Sequence, residues 1–579
     1  MSGWLVIDGY EDEPAAFGVP NYVGFHIRYI CGVLEEHRID YDYITIDQIR
    51  IARIKGESPI PAEIDGVVIL AGAVVPGKYA RGTPVSQREL DGLLTEIPRG
   101  TPVLCGGWAI RQWRYSGWTP LRELLFCTVQ DVDATLNHYL DTGGWQNRKR
   151  DQLQWGKWAL FGANSKAITN HPDIFSPDGS PGPLTYEVEL YQGCVRFKRG
   201  CKFCIEPKKG APIWREESDV IREVKHALDA GVRNFRIGGA TDIFTYKAEG
   251  VKEMEYPVPD PGPISELLYQ IREDERVEIL HVDNANPSII AENMEPSREI
   301  AKTLVETLSD GAVLSFGLES ADPKVHRENW LNCDPEQLME AVRMINEFGR
   351  ERGERGLPRL LPGLNFIAGL NGESEYTYSS NMELLRKIRG EGLWLRRINI
   401  RQVEGRGFQK VPKGIFKDFK KAVREEIDTP LLEEMFPVGT ILKDIWWESH
   451  EDRIRRPNQV TDGAFRDPLI HGSSGISFGR QIGAYPILVG VRYRIPLESR
   501  SDVMVTGHGS RSLSGVELGL DVNHVTQQQL EAIPGIGKNS AWKIVSTRAR
   551  LKSEYYTVEQ VFEDAGMEIP DVALGILSN

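Results

Sequence analysis

The chain is predicted to be an α/β protein with an N-terminal doubly wound parallel sheet, a central partial (β/α)6 barrel, a small β-rich unit and a C-terminal α-helical hairpin. Three observations predict it. Short apolar strands alternate with helical repeats through residue 150. Six further strand-like runs, each separated from the next by a helical segment, follow between residues 183 and 405. A helix, a Pro-Gly turn and a second helix lie near the end of the chain. At 579 residues the chain has room for about three or four domains. Its 41% hydrophobic and 9% aromatic content excludes wholesale disorder, and its net charge of -14 excludes a uniformly basic coat while leaving room for a local basic face. Charges, Gly or Pro interrupt every apolar run short of the ~20 residues that span a bilayer. A soluble, cytoplasmic protein without a membrane partner is expected.

Trp4 to Ile7, Tyr41 to Ile46, Asp65 to Leu70 and Pro102 to Leu104 read as strands, and Val23, Ile27, Ile30 and Leu34 recur at helical spacing between the first two. Parallel strands of this kind hold ligands at their carboxyl ends, where Asp8-Gly9-Tyr10, Ala71-Gly72-Ala73 and Cys105-Gly106-Gly107 fall. In order and turns, residues 1–150 resemble cobalamin-binding Rossmann or flavodoxin-like domains. That family's histidine motif, Asp-x-His-x-x-Gly, is missing, since neither His26 nor His37 has Asp two residues before it. Cobalamin is therefore a candidate cofactor with no histidine ligand to support it. Cys31, Cys105 and Cys127 equal in number the second-cluster cysteines of methylthiotransferases. Cys31 falls inside a helix and Cys127 opens a strand, which favours buried structural thiols. Residues 151–182 read as a linker packing across the next domain.

The stretch Tyr191 to Cys204, YQGCVRFKRGCKFC, gathers three of the seven cysteines. A disulfide leaves one of three unpaired, and zinc wants a fourth ligand at short spacing; the nearest are His226 and the distant Cys333. Cys194, Cys201 and Cys204 on a 4Fe-4S cube would leave one iron open for chemistry, and this reading is preferred over zinc. The run LTYEVELYQG leads straight into them, so the cysteines follow a first strand. A helix is expected from Ser218 to Ala230, capped by Ser218 or Asp219. Strands ending at Gly239, Asp283, Ser320, Leu370 and Val403 complete residues 183–405, and functional groups of such barrels collect at the carboxyl ends of the strands.

This region resembles the radical S-adenosylmethionine (SAM) enzymes. Phe203 fits the aromatic before the third cysteine, Gly238-Gly239 the glycine edge that binds the SAM amino group, and Glu319 with Ser320 the fourth-strand segment that contacts SAM. Phe366 to Glu373, including Ile367 and Gly369, resembles the fifth-strand glycine motif beside the adenine. Asp242 and Asp283 are further rim candidates. Two features depart from the family: six residues separate Cys194 from Cys201 where three are usual, so the insert is expected to loop out, and the Gly-Gly-Glu position reads Gly-Gly-Ala. The resemblance implies reductive cleavage of SAM to methionine and a 5'-deoxyadenosyl radical that abstracts hydrogen from an inert carbon. It also implies an outside electron donor, a reductase or a flavodoxin- or ferredoxin-like protein.

Residues 406–515 open with a basic helical run, GRGFQKVPKGIFKDFKKAVREEID, which is usually just a solvated face. Four short strands with Gly turns follow from 471 onward, and with Gly479-Arg480-Gln481 they are similar to the RNA-binding β-barrel appended to methylthiotransferases; a generic barrel is the alternative. Within residues 516–579, VTQQQLEAIPGIGKNSAWKIVSTRARL resembles the helix-hairpin-helix family, with Gly535, Gly537 and Lys538 where a phosphate oxygen would bind. A protein-packing hairpin is the bland reading. As a whole the chain resembles archaeal-type radical SAM Fe-S oxidoreductases, which implies an enzyme that modifies RNA such as tRNA. The alternatives are cobalamin-assisted methylation of a protein or small molecule, and a non-enzymatic iron-sulfur or zinc nucleic-acid-binding module.

Overall fold

Five short apolar strands, β1 (Trp4–Asp8), β2 (Tyr41–Thr45), β3 (Gly66–Leu70), β4 (Val103–Gly106) and β5 (Leu125–Cys127), pair in the order β2-β1-β3-β4-β5, all parallel. The computed structural model describes residues 3–10, 22–72, 82–120, 122–403, 407–450, 475–550 and 556–579. Ala73 of the second strand-end turn, the start of the basic run at 405–406 and residues 471–474 lie outside them. Side chains alternate along β1: Leu5 and Ile7 pack with Ile46 and Leu90 on one face, Trp4 and Val6 with Ile27 and Leu136 on the other. Helices cover both faces, and the strand order reverses between β1 and β3. Cys127 ends β5 rather than opening it, and its register partner is Cys105. Cys31 is buried in α1 (Phe25–Glu36), where burial pushes its thiol up to about 12.

The stretch between the first two units carries a helix of its own, because Asp151 and Gln154 form a capping box that starts α2 (Gln152–Gly162). α2 crosses α1 at two glycines. A Cβ on Gly162 would lie 2.3 Å from the carbonyl oxygen of Arg28, and one on Gly32 2.3 Å from that of Trp158. Backbone meets backbone there, so Gly162→Ala is expected to cost about 1–3 kcal/mol, seen as a lower midpoint in chemical denaturation. The N-terminal unit also lends the next one a strand, since Tyr22–Val23 pairs in parallel with Thr185 and Tyr186.

Six parallel strands then follow in sequence order: β6 (Thr185–Glu189), β7 (Asn234–Gly238), β8 (Ile279–Val282), β9 (Ala312–Glu319), β10 (Leu360–Ala368) and β11 (Arg397–Gln402). They form two sheets that share one segment, because β8 pairs with β7 while Asn284–Ala285, just past Asp283, pairs with β9. Tyr186, Phe235, Leu280, Phe316, Leu364 and Ile398 enter the helix-covered core, so the alternate polar positions, among them Glu187, Arg236, His281 and Asn365, face the opposite side. Ser218 and Asp219 do not cap the helix after β6. α3 (Glu217–Asp229) starts one residue earlier, Glu216 at its N-cap makes no side-chain bond, and Glu217 and Asp219 supply negative charge to the first turn.

The β-rich unit has five strands, one more than expected. The run that holds Trp446 and Trp447 is β12 (Ile441–His450), which closes a barrel with β13 (Ser477–Gln481), β14 (Leu488–Val491), β15 (Arg500–His508) and β16 (Ser512–Glu517) in the order β12-β13-β14-β16-β15. β14 and β16 are parallel and the other pairs antiparallel. This barrel sits against the amino-terminal ends of the central strands. Arg500 donates to the Pro181 carbonyl ahead of β6 (3.1 Å), Trp446 and Ile482 pack on Ile279 at the start of β8, and Arg396, just before β11, donates to the Tyr485 carbonyl (3.1 Å). The Ala484 N-H donates to His281 Nδ1 (2.8 Å) and the Tyr485 hydroxyl to Asp283, so the turn after β13 fills the lower end of the central unit. The terminal helices, α4 (Gln527–Ala532) and α5 (Lys538–Arg550) among them, pack on Met504 and Val516 of the barrel. Among the described residues no helix is long and apolar enough to cross a membrane.

Candidate active site

The cysteine loop leaves the carboxyl end of β6, at the end opposite the barrel. Tyr191–Gln192 pairs antiparallel with Ile213–Trp214 and pinches the loop at its base. Gly193 (φ 91°) makes the exit, where a Cβ would lie 2.7 Å from the carbonyl oxygens of Gly210 and Ala211. The insert between the first two cysteines is folded rather than looped out. The Phe197 N-H donates to the Cys194 carbonyl (3.0 Å), and Arg196 donates from its backbone to Cys194 Sγ (3.4 Å) and from Nη1 to Cys201 Sγ (3.4 Å) and the Trp330 carbonyl (3.0 Å). A tight turn joins the other two, with the Cys204 N-H on the Cys201 carbonyl (3.0 Å), and the Lys202 N-H on the Asn329 carbonyl (3.1 Å) ties it to a distant helix end.

Burial pushes the thiol of Cys194 up to about 11, that of Cys201 to about 12 and that of Cys204 upward, and the charge of Cys204 adds to the rise at both of the others. The Arg196 cation opposes the rise at Cys194 and Cys201, and Lys209 opposes it at Cys204. Among the described residues no three His, Cys, Asp or Glu side chains lie close enough to share one metal ion. A cubic cluster asks for something else, because each cysteine binds its own iron corner and the sulfurs stay apart. Three thiols with N-H donors aimed at sulfur fit that demand. Of the alternative fourth ligands, Cys333 is buried and donates to the Asp334 carbonyl (3.1 Å), and His226 lies in the last turn of α3.

Two carboxyl groups near the thiols have an oxygen without a partner. Glu319 ends β9 at a left-handed φ of 67°, where the register with β10 shifts after Gly317, and its buried Oε2 has no hydrogen-bond partner among the described residues. Burial pushes this carboxyl up to about 8, with Arg401 opposing. Backbone strain of about 1–3 kcal/mol at a residue of this kind is a mark of function. Asp242 accepts from Phe244 N (2.9 Å) and Asn286 N (3.0 Å) through Oδ1, while Oδ2 is buried and unpartnered, and burial pushes the group up to about 7. Asp283, by contrast, is held by Arg236 and Tyr485. It serves the contact with the β-barrel and is not a free rim group.

Glu189 escaped the sequence reading. It ends β6, is buried, and accepts from Tyr29 Oη (3.1 Å) and Gln192 Nε2 (3.0 Å); burial raises its pKa, with Arg150 foremost in opposing. The signal was its place in the alternating strand just ahead of the cysteines. Close approach accounts for the strand-end glycines. A Cβ on Gly238 would lie 2.0 Å from Glu187 Oε1, Gly239 has φ 55°, and Gly369 has φ 96° with its N-H shared by both Glu373 oxygens (2.9 Å each). Phe203 and Ile367 pack together with Val325, Leu331 and Leu370, and Ser320 Oγ accepts from the Asp322 N-H (3.1 Å). Gly535 (φ 91°), Gly537 and Lys538 belong to the terminal helical unit that packs on the β-barrel, apart from the cysteine loop.

Residues 188–385 match the Radical SAM superfamily, and the chain belongs to that superfamily of enzymes. Membership implies a 4Fe-4S cluster and SAM. The chain is 36% identical over 535 residues to an uncharacterized protein of Methanocaldococcus jannaschii, covering 88% of this chain and 92% of the relative. It is also 36% identical over 550 residues to an uncharacterized protein of Archaeoglobus fulgidus, covering 92% and 93%. Over 223 residues it is 25% identical to the tRNA-2-methylthio-N(6)-dimethylallyladenosine synthase of Geobacter sulfurreducens, which covers 38% of this chain and 43% of that enzyme. Among solved structures it is similar to the radical SAM methyltransferase TsrM from Kitasatospora setae (TM-score 0.41, 15% identity, 69% of this chain and 72% of that one).

Proposed function

We propose that Cys194, Cys201 and Cys204 hold one 4Fe-4S cluster at the carboxyl end of a partial (β/α)6 barrel, and that the enzyme cleaves SAM reductively to modify RNA such as tRNA. The single observation that carries the cofactor assignment is the three-thiol loop on β6 beside the unpartnered carboxyls of Glu319 and Asp242. When bound, the cluster supplies the electron and an open coordination position. The chain supplies the rest. Glu319 and Asp242 offer carboxylate oxygens to the amino group of SAM, and the bare backbone at Gly238, Gly239 and Gly369 lets SAM lie close to the strand ends. Phe203, Ile367 and Ser320 wall the adenosyl side. The turn after β13 keeps water out of the lower end, which protects a radical at the mouth. Electrons come from a flavodoxin- or ferredoxin-like donor in the cytoplasm.

The RNA assignment draws support from three features. The five-stranded barrel has the strand number of oligonucleotide-binding barrels. The turn with Gly535, Gly537 and Lys538 opens a helix whose start suits a phosphate oxygen. The relative from Geobacter sulfurreducens is named for a tRNA modification. Mass spectrometry of RNA nucleosides from a strain lacking the protein is expected to show one modified nucleoside missing; an unchanged profile would overturn the RNA assignment. Cobalamin belongs to a second reading, methylation of an unreactive carbon in a protein or small molecule. The crevice between β1 and β3 supports it, and corrinoid absorbance of the purified protein separates the two.

A further inference from the structure

The basic run after β11 does more than coat a helix. It forms α-helix Lys413–Ala422, continues as a π-helical turn, Val423–Asp428, and delivers Lys420 and Arg424 to the place where the start of β11 meets the turn between β15 and β16. π-Helical turns occur often at functional sites. Arg396, Arg397 and Arg511 complete a group of five cations that act on one another, and Asp428 is the carboxyl whose charge reaches Arg396, Arg424 and Arg511. That carboxyl is bound by Arg424. Arg396 and Arg397 are fixed from behind, the first on the Tyr485 carbonyl (3.1 Å) and the second on Asn399 Oδ1 (2.8 Å). Arg511 and Lys420 have no hydrogen bond or ion pair among the described residues, and Arg511 is exposed on its turn. Desolvation, then the charge of Arg397 and Arg511, pulls Arg396 down to about 9. Cations crowded in this way are held at a cost that a bound anion would relieve.

We propose that this cluster is a phosphate-binding surface for the RNA backbone, with Arg511 and Lys420 meeting phosphate oxygens and Arg396, Arg397 and Arg424 as the fixed positive field behind them. The inference rests on the RNA reading above. Guanidinium forks match phosphate geometry, and contacts to phosphate oxygens position a nucleic acid without selecting its sequence. Its place adds a length requirement. The surface stands at the start of β11, whereas the cysteine loop stands at the other end of the strands. β11 has six residues, pairing with β10 from Arg397 opposite Gly363 to Gln402 opposite Ala368, so the two ends lie roughly 20 Å apart at about 3.3 Å per residue. An RNA must extend at least that far to touch both.

Fluorescence anisotropy of a labelled tRNA transcript on the full-length reconstituted protein, across a series of KCl concentrations, tests this. The double variant R511E/K420E is expected to bind at least roughly tenfold more weakly, with the salt slope reduced by about 1–2. The milder R511Q/K420Q should move in the same direction, and circular dichroism melting curves of both should match the wild type. K302Q, which removes a charge from an exposed helical position elsewhere, should change neither affinity nor slope. If the wild type binds the transcript and both double variants bind it equally well with the same slope, this surface falls while the RNA reading stands. Failure of the wild type to bind removes both. Stabilisation by inorganic phosphate that the double variants lose, without any RNA binding, would identify a small-phosphate site and overturn the RNA source.

Discussion

Cys201→Ser is expected to reduce 5'-deoxyadenosine formation from SAM and dithionite to background in the anaerobically reconstituted protein, and to lower the iron content from about four per chain. The expectation follows from the number of ligands. On the proposed reading three thiols serve the cluster, and the other cysteines lie away from it or are otherwise engaged: Cys333 is buried on its own carbonyl contact, Cys31 lies in α1, and Cys105 and Cys127 are register partners in the N-terminal sheet. Cys201 is also the thiol on which Arg196 Nη1 sits, so its loss removes a ligand and releases the cation that bridges the insert to Trp330. Deoxyadenosine formation at the wild-type rate in this variant would sink the cluster assignment. An iron count of about eight in the wild type would bring back a second cluster in the N-terminal unit.

Glu319→Gln is expected to weaken SAM binding by roughly ten- to a hundredfold and at the same time to stabilise the ligand-free protein above pH 8. The stability effect has a definite sign. The folded carboxyl titrates at about 8 against an ordinary value of 4.5, so between these values the folded state keeps a proton that the unfolded chain has released. Stability therefore falls as pH rises from 4.5 to 8, and glutamine, which has no charge to bury, avoids a loss on the order of 5 kcal/mol. Binding runs the other way, because the amino group of SAM favours the ionised carboxylate. The ratio of wild-type to variant affinity should grow with pH up to about 8 and then level off; SAM's own titration is common to both and cancels. Calorimetric titration with SAM and denaturation at several pH values measure the two halves. Equal SAM affinities at every pH would remove Glu319 from the SAM site whatever the stability data showed.

Much of the site was legible because its chemistry is concentrated in the chain. Cys194, Cys201 and Cys204 share one loop, the glycines at 238, 239 and 369 mark strand ends, and Glu319 stands in a strand run that alternates correctly. Other parts left no local trace. Tyr22–Val23 is too short a strand to carry a periodic signal, yet it pairs with β6. Glu189 is one carboxylate among many until the sheet puts it beside Tyr29 and Gln192. Asp283 read as a free rim group because its partners, Arg236 and Tyr485, lie 47 and 202 residues away. The six-residue insert was expected to protrude, and Arg196 holds it through Cys194, Cys201 and the carbonyl of Trp330, the last 134 residues away.

The sequence by itself determined the alternation of strand and helix, the three-sulfur loop and the composition of each unit, since side-chain period and residue chemistry are properties of neighbours along the chain. The tertiary structure alone decided that the β-barrel closes the lower end of the central strands, that Arg396, Arg424 and Arg511 gather around Asp428 there, and that Glu319 is left strained with an unpaired oxygen near the thiols. Those outcomes depend on which distant polar groups meet once the strands are paired and the apolar faces buried. No local pattern encodes that choice, because burial is recorded residue by residue while partnership is set by the closure of the whole fold.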